Sequence, residues 1–361
     1  MSTELLNPGP PAASPNWPDF AELALRVRAE NLLARRPGYY AVKITTTVGA
    51  LVALAAAAVV VGDQWANLAV AAGLAVVLAQ LGFLGHDAGH RQICTRRRGN
   101  DVIGLLLADL MTGFSYRWWL TKHNRHHAFT NRRDQDPDIA PGALIFAPEQ
   151  VAGRGRFGRW FARFQAFALV PLLSLEAFHL HVASIRYLIH RRVGVEAGLL
   201  AVHVAAFFVA PFFILSPARA VAFIAVMQVG LGLYLGATFI TNHVGMPTLA
   251  VDEKLGFLSR QVATSRNLAG SPLVGFVFGG LDAQIEHHLF PSMPRPNLRR
   301  ARRLVRPYCA EHHIAYAERP VHRAYLDVFR GLHLAGAGIA VPSAPRAVVA
   351  PASGGSISGG R

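Results

Sequence analysis

GHDAGHRQICTRRRGNDVIGLLLADLMTGFSYRWWLTKHNRHH, residues 85–127, places two histidine clusters, His86-x-x-x-His90 and His123-x-x-His126-His127, at the exit of an apolar run from Trp65 to Leu84. Residues three and four apart share one face of a helix, so each cluster, if helical, turns its imidazoles toward a single point. Further along come Gln284-Ile285-Glu286-His287-His288 and a lone His243 in Thr241-Asn242-His243-Val244-Gly245. Eight imidazoles exceed what one tetrahedral zinc takes, and imidazole also suits iron, copper and nickel; two metals are the natural reading.

The fold follows from what surrounds these clusters. Ile44 to Val61 is almost uncharged, and after the polar turn Gly62-Asp63-Gln64 the run from Trp65 to Leu84 follows. A span needs about 20 apolar residues, so the two runs form a helical hairpin. Its turn has no Lys or Arg, whereas Arg35, Arg36 and Lys43 precede it and Arg91, Arg96, Arg97 and Arg98 follow, which puts the ends of the hairpin in the cytoplasm. Runs from Ala197 to Leu215 and from Ala220 to Ile240, joined by Ser216-Pro217-Ala218-Arg219, make a second hairpin of the same orientation.

The expected fold is thus an all-α integral membrane protein of four transmembrane helices in two hairpins (44–61, 65–84, 197–215, 220–240). A cytoplasmic helical cap holds the metal site, and both termini are cytoplasmic. Between the hairpins, Val102 to Phe114 is too short to cross and contains Asp109, which predicts a re-entrant or interfacial helix, with Trp118 and Trp119 at the aromatic belt. His179, His181 and His190 lack partners at the repeating spacing and read as interfacial. Residues 1–18, rich in proline, read as a disordered lead; 19–333 form the membrane domain, and 334–361 a disordered tail.

Composition agrees. The chain of 361 residues is 52% hydrophobic and 16% charged, against roughly 25% charged in soluble domains. Its net charge of +15 lies beside apolar runs, which favours anionic headgroups or a phosphorylated substrate handle, and no reader motif for DNA or RNA occurs. Cys94 and Cys309 form no C-x-x-C pair and read as free thiols.

His86-Asp87-Ala88-Gly89-His90, His123-Asn124-Arg125-His126-His127 and Gln284-Ile285-Glu286-His287-His288-Leu289-Phe290-Pro291 together resemble the three histidine boxes of membrane fatty acid desaturases. The likeness covers roughly Ile44 to Cys309 in the order and spacing of boxes and spans. Gln284, where other branches have histidine, is similar to the front-end desaturases and related bacterial acyl-CoA or acyl-lipid desaturases.

The resemblance implies a non-haem di-iron centre, dioxygen as co-substrate and two external electrons, giving a cis double bond in a long acyl chain. It assigns His86, His90, His123, His126, His127, His287 and His288 as iron ligands, and His243 as another. Gln284 departs from the pattern, and can bind through its carbonyl oxygen or hold a metal-bound water. Asn242, Asp87 and Asp138 are candidates for orienting the ligating imidazoles, or are plain capping and turn residues. No His-Pro-Gly-Gly haem motif of a fused cytochrome b5 domain occurs; a separate donor of ferredoxin or flavin reductase type is expected.

Arg295, Arg299, Arg300, Arg302, Arg303 and Arg306 would dock that donor or a substrate phosphate. Phe83, Leu235 and Phe239 would line an apolar tunnel, since proximity and orientation decide which carbons react. Two other readings remain: a membrane hydroxylase or ketolase of the same superfamily, and a non-enzymatic metal transporter or sensor. The clusters lie outside the spans, whereas transporters place ligands at the midplane.

Overall fold

The computed structural model describes residues 20–340, which are mostly helical. In chain order the helices are α1 (Phe20–Ala29), α2 (Pro37–Val61), α3 (Asn67–Gly89), α4 (Arg97–Leu105), α5 (Tyr116–Phe129), α6 (Arg156–Ser174), α7 (Glu176–Arg191) and α8 (Gly194–Val204). There follow α9 (Pro211–Ile214), α10 (Pro217–His243), α11 (Phe257–Ala263), α12 (Pro272–Val277), α13 (Gln284–Leu289), α14 (Arg295–Glu311) and α15 (Val321–Gly336). Two short strands, β1 (Asn267–Ala269) and β2 (Glu318–Pro320), pair in parallel with Asn267 opposite Glu318.

Four helical stretches are long and apolar enough to cross a membrane: Pro37–Val61, Asn67–Gly89, Gly194–Ile214 and Pro217–His243. Each coincides with an expected span, but α3 and α10 run further than hydropathy alone predicts. They carry His86 into the last turn of α3 and make His243 the last residue of α10. Pro37, with its φ already helical, starts α2, and Gly62 at φ +66° ends it. Asn67 Nδ2 then donates to the carbonyls of Ala58 (3.0 Å) and Gly62 (2.7 Å), closing the turn into α3. Asp63 in that turn accepts from Ser216 N (2.8 Å) and Arg219 Nη1 (2.6 Å), joining it to the turn before α10.

α3 and α10 pack at the centre, with Leu74, Leu78, Leu81, Phe223, Met227 and Leu231 in one buried cluster. Gly230 is needed there, because a Cβ on it would lie 2.8 Å from that of Ala75. α2 buries little and presents apolar side chains outward, as a lipid-facing helix does.

Several expectations are corrected. The segment after α4 continues as a π-helix (Leu106–Thr112) ending at Gly113, φ +82°. Asp109 on it is buried and accepts from Tyr116 N (3.1 Å), so it anchors the start of α5; the segment is helical and short, as expected. His181 is not interfacial: it is buried with Nδ1 2.7 Å from the Gly113 carbonyl and Nε2 3.2 Å from Gln228 Oε1, while His179 and His190 are exposed. α6 and α7 meet at a 67° bend and together are apolar enough for a broken span or a re-entrant loop. The β1–β2 ladder qualifies the all-α expectation. α15 runs to Gly336, into the segment read as a tail; the rest of that segment from 341 on, and the proline-rich lead, lie outside the described residues.

Candidate metal centre

Four helices aim the histidines. The last turn of α3 carries His86, with His90 as its C-cap, and α5 carries His123, His126 and His127 on one stripe. The short α13 brings His287 and His288, and α10 ends on His243. Asn267 on β1 holds α13 in place: its Oδ1 accepts from Ile285 N (2.8 Å) and its Nδ2 donates to Glu286 Oε2 (2.8 Å).

The eight imidazoles meet in two adjoining groups. His86, His90, His123 and His287 have ligand atoms within 4.8 Å of one another, and so do His126, His243 and His288. His127 stands between the groups, with ring centroids 4.6 Å from His90 and 4.2 Å from His288, and its Nε2 is 3.1 Å from that of His123.

Hydrogen bonds outside the cluster select the nitrogens that face inward. His243 Nδ1 donates to the Thr264 carbonyl (2.9 Å), and His288 Nδ1 to Gln261 Oε1 (3.0 Å). His126 Nδ1 donates to both oxygens of Asp136 (3.0 Å each). In each the proton is thereby placed on Nδ1, which turns Nε2 inward as an acceptor; that of His288 has no hydrogen-bond partner among the described residues, and that of His243 faces the Gln284 amide. His86 has a weaker version, Nδ1 3.4 Å from Asp87 Oδ1.

The buried Nε2 atoms of His86, His90 and His288, Nδ1 of His127 and both nitrogens of His287 have no hydrogen-bond partner among the described residues. A buried polar atom left unpaired costs about 1–3 kcal/mol, so this concentration in one place has no structural rationale without ions to ligate. The donor set, all neutral nitrogen, fits two transition-metal ions.

A third group, His126, Asp136 and Asp138, is not a further metal site. Asp136 already accepts from the backbone amides of Asn131 (2.7 Å) and Asp138 (2.9 Å) and from His126, and the Lys122 ammonium sits 2.6 Å from Asp138. The carboxylate that orients His126 is therefore chiefly Asp136. Asp138, the residue singled out by sequence, is 3.4 Å from His126 Nδ1 and serves Lys122. Asp87 is buried and pairs with Arg295 at 2.8 Å. Asn242 touches no imidazole: its Nδ2 donates to Gln284 Oε1 (2.9 Å) and the Leu281 carbonyl (3.1 Å). That leaves the Gln284 amide nitrogen 2.9 Å from His243 Nε2.

Sequence reasoning missed Asp136, Gln261 and the Thr264 carbonyl. Only Asp136 left a trace, as the aspartate just before Pro137 that caps a short turn. Arg295 is also misplaced by it: the guanidinium is buried and bonded to Asp87 and the Phe83 carbonyl (2.7 Å), not offered to a partner. Arg299 and Arg302 are taken up by Asp282, and Arg302 and Arg306 by Glu318, leaving Arg300 and Arg303 as exposed cations of that row. Phe83 and Leu235 are packed in the core and Phe239 is partly exposed, its ring 6.2 Å from that of Phe83.

Burial, and then neighbouring imidazoles, push the protonation of His90, His123, His127, His287 and His288 below the ordinary histidine range. His126 goes the other way: burial lowers it, but Asp138 and Asp136 together outweigh burial. For the five depressed groups the unfolded chain binds more protons, so their contribution to stability is present above the ordinary histidine pKa and is lost as pH falls below it. Metal-free protein taken from about pH 7.5 to about pH 5.5 should lose stability, read as a falling Tm in detergent. An unchanged Tm would contradict this burial.

Comparison with known proteins follows the same geometry. The family described as fatty acid desaturase matches residues 63–320. The chain is 29% identical over 327 residues to an acyl-lipid (9-3)-desaturase of Physcomitrium patens, covering 87% of this chain and 62% of that protein. It is 31% identical over 260 residues to a Delta(6)-fatty-acid desaturase of Caenorhabditis elegans (67% and 59%), and 31% identical over 284 residues to human fatty acid desaturase 3 (76% and 63%). It thus spans about three fifths of the length of these relatives. With more than half of its residues matched by that family, the chain belongs to the fatty acid desaturases.

Proposed function

We propose that the chain is an oxygen-dependent fatty acyl desaturase that inserts a cis double bond into a long acyl chain. The observation that carries the reading is the pair of adjoining histidine groups with inward, unpartnered nitrogens, in a chain of this family. Two irons bound there would supply the redox chemistry, in which dioxygen, two electrons and two protons take two hydrogens from the chain and leave as two waters. His86, His90, His123 and His287 would hold one, and His126, His243 and His288 the other, with His127 between them. Asp136, Gln261 and the Thr264 carbonyl fix which nitrogen each imidazole presents. Gln284, its oxygen engaged by Asn242, points its amide nitrogen at His243 Nε2, a position it would yield to a metal bound by the second group. The electrons come from a protein of ferredoxin or flavin reductase type, and the site faces the cytoplasm, a reading that the positive charge of the flanking segments supports.

Near the start of α2, a cavity of about 220 Å³ is lined by Tyr39, Lys43, Phe276, Arg295 and Arg299 among others. Lys43 has the Phe276 ring beneath its ammonium at 4.2 Å and no carboxylate within ion-pair reach among the described residues. This cavity suits the phosphate of an acyl carrier. Lys43→Ala should raise KM for a phosphate-bearing carrier about five- to tenfold with kcat within about twofold, because the group binds away from the reacting carbons. Equal loss with a phosphate-free acyl ester would refute that placement.

Expression in a host lacking the activity, with lipids profiled in air and without oxygen, tests the whole reading. New unsaturated chains only in air are expected. A product that has gained oxygen would instead indicate a hydroxylase or ketolase. Metal uptake with no altered lipid, a competent donor being present, would indicate a transporter or sensor.

A further inference from the structure

Gln261, on α11, lies apart in sequence from every histidine box, and its side chain is fully buried. Its amide bridges two of the boxes. The nitrogen donates to the carbonyl of His127 at 2.8 Å, and the oxygen is 3.0 Å from His288 Nδ1 and 3.1 Å from the Thr130 hydroxyl. The orientation of this amide is fixed by chemistry, since a backbone carbonyl can only accept. Its NH2 must face His127, and its oxygen must then face His288.

That oxygen in turn can only accept, so His288 carries its proton on Nδ1. The other nitrogen, Nε2, is buried without a partner and belongs to the group shared with His126 and His243. Thr130 joins the same device: its hydroxyl is 3.0 Å from the His126 carbonyl and 3.2 Å from His288 Nδ1. In the first group the comparable contact is weaker, His86 Nδ1 lying 3.4 Å from Asp87 Oδ1, and among the described residues His287 has no hydrogen bond at either nitrogen and His90 none at Nε2.

We infer that Gln261 is a positioning residue for one of the two metal sites only, the His126–His243–His288 site. It sets the tautomer of His288 and clamps α13 to the end of α5. This rests on the di-metal reading above and adds an asymmetry that the reading alone does not require. An amide is the one uncharged side chain of this length that accepts toward His288 and donates toward His127 at once. Leucine does neither, and glutamate keeps only the acceptor.

The test uses the purified full chain loaded anaerobically with Fe(II), and separately with Co(II), at a chelator-buffered free concentration that just saturates the wild type. Wild type should bind two ions per chain. Gln261→Leu should lose about 10–100-fold in affinity at one site, so that stoichiometry falls toward one and the part of the Co(II) absorption due to that site disappears. Gln261→Glu, which retains the acceptor, should return to two ions with that part of the spectrum shifted, because a charged partner makes His288 a stronger donor. Gel filtration and the pH-7.5 melting temperature identify a leucine variant that fails to fold, in which case the glutamate spectrum alone decides. Two ions with unaltered spectra in both variants, or equal weakening of both sites, would overturn the inference while leaving the di-metal reading intact. Wild type binding no metal would remove both.

Discussion

His287→Ala is expected to lower product formation on the order of a thousandfold or more while changing the stability of the metal-free protein little. His287 is buried, its ring centroid lies 4.7 Å from those of His86 and His90 and 4.9 Å from that of His127, and neither of its nitrogens meets a hydrogen-bond partner among the described residues. A histidine kept for structure alone would be hydrogen-bonded, as His181 is to the Gly113 carbonyl and Gln228. Truncating His287 leaves a cavity, but it also removes two unpaired buried nitrogens at about 1–3 kcal/mol apiece, and the two effects offset each other. The variant should therefore fold, melt within a few degrees of the metal-free wild type and bind less metal. His181→Ala should do the reverse, losing stability and keeping its metal. Metal content measured by elemental analysis beside melting curves distinguishes these outcomes. If His287→Ala retained two ions and full activity, His287 would not be a ligand.

The contrast between these two histidines explains how much of the site could be read without coordinates. Ligand spacing on a helix is a local property: His86 with His90, and His123 with His126 and His127, are set by the 3.6-residue turn, and apolar length likewise marks the four long helices. Which imidazole nitrogen faces inward depends on partners remote in sequence. Thr264 is 21 residues from His243, and Gln261 is 27 from His288. Nothing in the residues near a box reveals them. The same limit misled the reading of Asp138 over Asp136, since it is the fold that buries Asp136 against His126 and two backbone amides and turns Asp138 to Lys122. His181 was misread as interfacial because the carbonyl that binds it is exposed by a π-helix ending at Gly113, a local irregularity that hydropathy does not register. The arginine row of α14 failed for a related reason: its amphipathic period was legible, but the acids that neutralise its inner face come from other elements, at Asp282 and Glu318.

Arg295→Leu is the second substitution expected to have a large effect, and it tests how the cap is joined to the spans. The Arg295 guanidinium reaches Asp87 Oδ2 at 2.8 Å and the Phe83 carbonyl at 2.7 Å, while its backbone amide meets the Tyr40 hydroxyl at 3.2 Å and Gln92 Oε1 at 3.1 Å. One residue at the head of α14 thus holds α2, α3 and the segment after His90 together, beside the metal cluster. Removing the cation alone leaves the Asp87 carboxylate buried and unpaired next to His86, which should cost about 3–5 kcal/mol and release His86 from its place. Removing both partners, in an Asp87→Leu/Arg295→Leu chain, should recover much of that loss, because two apolar side chains do not need each other's charge. Activity should not recover with it, since no group then orients His86 through Nδ1. A double-mutant cycle read by both melting temperature and metal content separates the two roles. If the double variant regained metal and activity along with stability, the pair would be structural only, and His86 would be held in place by its helix alone.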